Sequence, residues 1–111
     1  MTGNGSTLLF RQRKNFETAY VEAWAFTVPP SDRYPDAVKH SYQYGARESG
    51  PNTAWDDGTI FRYDNSPDHP GAPRHHKHTR DGRVVGIDFA GVRPLYDRFK
   101  QEVIDNGEDW K

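Results

Sequence analysis

Apolar and polar positions alternate along most of the chain, and only the last segment changes period. Thr7 to Lys14 enters with Leu8, Leu9 and Phe10 and leaves with Arg11, Arg13 and Lys14, which predicts a strand with a solvated far end. Asn15-Phe16-Glu17-Thr18 predicts a turn. Between Tyr20 and Val28 the residues Tyr20, Trp24, Phe26 and Val28 share one face, while Val21, Ala23 and Ala25 share the other. A strand apolar on both faces belongs inside a sheet. Pro29-Pro30 ends it, and the polar stretch to Pro35-Asp36 is a loop.

From Val38 to Arg47 the alternation is clean. Val38, His40, Tyr42, Tyr44 and Ala46 point one way, and Lys39, Ser41, Gln43 and Arg47 point toward solvent or a ligand. Glu48 to Asn52 reads as a loop, Asp57-Gly58 as a hairpin-type turn, and Thr59 to Tyr63 as the next strand. Pro67, Pro70 and Pro73 remove ladder donors, so residues 66–73 are irregular. Asp81-Gly82 then turns into a short strand, Arg83 to Ile87.

Val92, Leu95, Tyr96, Phe99 and Val103 repeat at helical spacing as one apolar stripe. Pro94 lies early enough to be tolerated, and Gly107 suits the C-terminal cap, which places a helix at 91–106. The expected fold is α+β: an antiparallel sheet of about five strands with one C-terminal amphipathic helix on one face. One helix cannot cover both faces, so the other is left for a ligand, a partner or a second copy of the chain.

Composition narrows the picture. With 111 residues, 33% hydrophobic and 14% aromatic, the chain is long enough for one domain with a small aromatic core. Residues 1–6 form a flexible lead-in. There is no cysteine, which excludes disulfides, thiolate metal sites and a cysteine nucleophile. No apolar run approaches the roughly 20 residues needed to span a bilayer, and no leader pattern opens the chain, so a cytoplasmic protein with no membrane partner is expected. A net charge of −1 gives no global attraction to nucleic acid.

Candidate chemistry concentrates in the Pro/His-rich segment 64–80. Four of the five histidines, His69, His75, His76 and His78, lie there, interleaved with Arg74, Lys77 and Arg80. Imidazoles titrate near neutral pH and ligate metals. If 74–80 is extended, Arg74, His76, His78 and Arg80 share one face, and His75, Lys77 and Thr79 the other. His76 and His78 can then chelate a metal, with a third ligand from His69, Asp64, Asp68 or His40. No HExxH or finger spacing is present, and the flanking cations disfavour a second positive ion, so no cofactor is expected. The reading that needs no metal is an endoribonuclease. His76 and His78, with His75 and Asp64, supply acid–base chemistry, while Arg62, Arg74, Lys77 and Arg80 hold phosphate and Tyr63 stacks a base.

Plainer readings stand beside these. A histidine-rich loop is often solvated surface or a protein contact, His40 suits a hydrogen-bonded core, and Tyr42 and Tyr44 are core candidates first. Arg11, Arg13 and Lys14 are a solvated strand end that could extend a nucleic-acid track. Asp64-Asn65 can cap backbone donors at a turn, or Asp64 can orient a histidine. A non-enzymatic protein binding nucleic acid or an antitoxin, and a metal-dependent hydrolase or transferase, are the alternatives.

The run Ile60-Phe61-Arg62-Tyr63-Asp64-Asn65-Ser66-Pro67-Asp68-His69, followed by Pro73-Arg74-His75-His76-Lys77-His78, resembles the TumE family of toxins of toxin–antitoxin modules. The likeness is close over about a third of the chain, R-Y-D-N and H-H-K-H lying in order. It implies a small cytoplasmic toxin and a cognate antitoxin with a DNA-binding domain. The matching positions are Arg62, Asp64, Asn65, His69, His75, His76, Lys77 and His78. Cleavage of RNA is inferred from the side chains and not from the family. The loop at 29–37 is longer than the family pattern and carries prolines.

Overall fold

The computed structural model describes residues 6–47, 58–68 and 71–110. The expected loop at 48–52, residue Asp57 of the turn, His69 and all but the last residue of the lead-in lie outside them. Seven elements follow in order: β1 (Thr7–Asn15), β2 (Ala19–Thr27), β3 (Val38–Ala46), β4 (Thr59–Asp64), β5 (His76–His78), β6 (Val84–Gly86) and α1 (Val92–Asp105). Each strand pairs antiparallel with the one before it, giving a six-stranded sheet in the order β1-β2-β3-β4-β5-β6. The α+β architecture matches the expectation from the alternation. The additional strand is β5, which lies in the Pro/His-rich segment 64–80, just past the irregular residues 66–73 and inside the stretch 74–80 supposed to be extended.

The helix covers one face. Ala19, Val21, Ala23 and Ala25 of β2 point under it and are fully buried, and their small side chains leave room for rings. Phe99 of α1 fills that room, with ring centroids 5.7 Å from Tyr42, 5.7 Å from Phe61 and 5.4 Å from Tyr63. Leu95 and Val103 complete the buried stripe. The Tyr42 hydroxyl donates to the Val92 carbonyl at 2.9 Å and ties the start of α1 to β3. At the other end Gly107 adopts φ 110, a left-handed conformation that glycine enters without penalty. Its N–H bonds the Ile104 carbonyl at 2.9 Å and the Glu108 N–H reaches Val103 at 3.4 Å, which is the Schellman closure. That closure carries Glu108 to the Tyr44 hydroxyl and leads Trp110 back over Phe99.

The opposite face has no helix. Register places Arg11, Trp24, Ser41, Asp64 and His76 in one row across it, and Arg13, Glu22, Gln43, Arg62 and His78 in the next.

Candidate functional site

Asp64 ends β4, and the β4–β5 pairing sets it opposite His76 while Arg62 stands opposite His78. Because side chains alternate, all four project to the open face. The Asp64 carboxylate holds the group together. Its Oδ1 lies 2.7 Å from His76 Nε2 and accepts the Ser66 backbone N–H at 3.0 Å. Its Oδ2 lies 3.1 Å from His78 Nε2 and accepts from Arg62 Nε at 2.8 Å. Asp64 thus caps a turn donor and orients both imidazoles at once. His76 and His78 are closed from solvent, at 0% and 1% exposure.

The proton on His76 can be placed. Its Nδ1 is 2.9 Å from the Pro73 carbonyl, which only accepts, so Nδ1 carries a hydrogen and Nε2 faces the carboxylate. Burial alone would push the His76 imidazole down, but the bonds to Asp64 and Pro73 outweigh it and raise it above its ordinary value. Burial alone would likewise raise Asp64, yet the bonds from His76, His78 and Ser66 hold it well below the usual carboxylate range. Arg62 Nη2 lies 3.3 Å from His78 Nε2. A guanidinium only donates, so His78 Nε2 either accepts from Arg62 or donates to Asp64 Oδ2, according to its tautomer, and never both at once.

A cleft of about 260 Å³ opens beside this group on the same face, lined chiefly by Trp24, Lys39, Ser41, Arg62, Asp64 and Asn65. Of the buried cluster, Asp64 is the member that reaches it. Trp24, Lys39 and Ser41 were not among the expected site residues. Their signal lay in the polar side of the Val38–Arg47 alternation, which points at a ligand, and in its register with Trp24.

The remaining expected residues go elsewhere. Lys77 projects to the helix face, where it pairs with Glu102 and lies 5.1 Å from the Phe61 ring centroid. Arg80 is exposed and donates to Asn106 Oδ1 at 3.0 Å. Arg74 is exposed. Tyr63 is fully buried under α1 with its hydroxyl on Glu102, so no base can stack on it in this arrangement. Asn65 has a supporting part: its Oδ1 accepts the His40 N–H at 3.0 Å and its Nδ2 donates to the Val38 carbonyl at 2.8 Å. His69 lies outside the described residues.

His75 belongs to a second array on the helix face. Its Nε2 is 2.6 Å from Asp36 Oδ2, its Nδ1 is 3.0 Å from His40 Nε2, and its ring stacks on Phe89 at 3.9 Å. Burial, and then the neighbouring His75, push His40 down to about 3. Asp36 was missed because it lies in the proline-bearing loop before β3, 39 residues from His75. Ala37, the next residue, has φ 59, a left-handed conformation unusual for a side chain with Cβ.

Fold and site together define an α+β protein that displays a histidine–carboxylate centre on the open face of a meandering sheet. The chain belongs to the TumE family: the family model described as Toxin TumE matches residues 7–106. It is therefore a toxin of a toxin–antitoxin module, and an antitoxin is its partner. No curated protein and no solved structure matches the chain. Among the described residues no helix is long and apolar enough to cross a membrane.

Proposed function

We propose that this toxin acts in the cytoplasm on RNA, as an endoribonuclease working from the open face of the sheet. The observation that carries the reading is one carboxylate holding two imidazoles at the edge of a cleft whose walls offer cations and an aromatic ring. Arg62 and Lys39, which line the cleft, would hold a phosphodiester, and Trp24 beside them would take a base by stacking. In the cleavage, the ribose 2′-oxygen attacks phosphorus and gives up its proton, and the 5′-oxygen leaves and takes one. A 2′,3′-cyclic phosphate and a 5′-hydroxyl end result.

A metal-independent pair of histidines must touch those oxygens, and His76 and His78 are closed from solvent behind Asp64 and Arg62. We therefore assign them to building the centre around Asp64, which faces the cleft. The antitoxin, carrying a DNA-binding domain, would silence the toxin by covering the open face.

The test is inducible expression of wild type, Asp64→Asn and His76→Ala/His78→Ala, scoring growth and total RNA integrity together. The expected outcome is arrest with RNA fragmentation in wild type alone. Arrest with intact RNA would remove RNA cleavage. Fragmentation by a folded double mutant would remove the centre. Salt-sensitive RNA binding by purified protein without product would favour a non-enzymatic binding module.

A further inference from the structure

We propose that Asp64, His76 and His78 form a binding site for one divalent transition-metal ion such as Zn²⁺, Mn²⁺ or Co²⁺. The three residues each present a ligand atom, and those atoms all lie within 4.8 Å of one another. Bonds of about 2.0–2.2 Å to a central ion separate neighbouring donors by roughly 3–4 Å, so the cluster closes on a cation with small adjustments. Two imidazoles and one carboxylate are the donor set that binds such ions on one side and leaves the other side open.

Three further features agree. His76 commits Nδ1–H to the Pro73 carbonyl at 2.9 Å, which is how a metal-ligating histidine is commonly fixed with its other nitrogen toward the ion. Asp64 lines the cleft, so the open side of an ion held there faces the space where a phosphodiester would lie. Two of the three cations that argue against a metal in the sequence are turned away from it: Lys77 pairs with Glu102 on the opposite face, and Arg80 bonds Asn106. Arg62 stays beside it and does part of a cation's work, with Asp64 Oδ2 at 2.8 Å and His78 Nε2 at 3.3 Å. An ion entering the site displaces its Nη2 from His78 and frees the guanidinium for the phosphate. The inference concerns the centre of the proposed ribonuclease, but its test contains no RNA and stands or falls separately.

The test uses the full chain without an affinity tag, freed of metal with a chelator and titrated with Zn²⁺ or Mn²⁺ alone by calorimetry. One ion should bind per chain. Asp64→Asn and His78→Gln should weaken binding by at least about tenfold, while Arg62→Gln should bind as tightly or more tightly. No stoichiometric binding to folded wild type overturns the site, as does unchanged affinity in the folded ligand variants. Should those variants fail to fold, histidine ring resonances of wild type decide the matter. Zn²⁺-induced shifts at His76 and His78 support the site, and shifts confined to His69 overturn it.

Discussion

At the scale of single residues, the histidines behave in opposite ways, and the pH dependence of stability should show it. His76 is raised, so the folded state binds its proton more tightly than the unfolded chain does. Its contribution is full below about pH 6.5 and is lost as pH climbs through the raised value. His40 is lowered to about 3, so its contribution is full above about pH 6.5 and is lost as pH falls toward 3. Asp64, held low, adds stability above the ordinary carboxylate range that disappears on stronger acidification. Metal-free protein should therefore be most stable near pH 6–7. The acid limb, where the unfolded chain takes up protons at His40 and then at Asp64 that the folded state refuses, approaches about 1.4 kcal/mol per pH unit for each proton. Melting temperature followed across pH checks this, and a midpoint still rising between pH 7 and 9 would contradict the role given to His76.

At the scale of elements, β5 decides where every nearby charge goes. Its three residues send His76 and His78 to one face and Lys77 to the other, so a cluster that looks crowded in sequence is divided by the sheet. Pro73 and Gly86 hold that arrangement. A Cβ built on Gly86 would come within 2.9 Å of the Pro73 ring, whose carbonyl orients His76. Gly86→Ala should push Pro73 away and loosen His76, costing about 1–2 kcal/mol as overpacking does. Chemical denaturation measures the cost, and an unchanged midpoint with an unchanged His76 resonance would refute it. Much of this level was legible beforehand: the clean alternation of Val38–Ala46 and the stripe Val92–Val103 came through with ends displaced by a residue or so. β5 is reached only by supposing 74–80 extended and is not counted among the expected strands, because a strand of three residues is created by its neighbours' backbones and not by its own pattern. Trp24 escaped for a related reason, since alternation separates two faces without saying which one a helix will cover. The tie between His75 and Asp36 joins residues far apart in sequence, and no local signal carries it.

At the scale of the whole molecule, the sheet is held unevenly. β1, β2 and β3 pair along nearly their whole length, while β5 is held by three-residue pairings on either side. Amide hydrogen exchange should therefore run fastest among the strands at Lys77 and Val85 and slowest at Val21 and Tyr42. Equal protection across the sheet would contradict this. The meander also has a consequence in time. Every strand waits for the one synthesised before it, and the Asp64 centre closes only when β5 and β6 arrive, with α1 still to come from the ribosome. A nascent chain can zip its early hairpins at once, since their contacts are local. The Asp64 centre cannot assemble until β5 has emerged, so any chemistry it carries waits for strands made well after the first hairpins of the sheet.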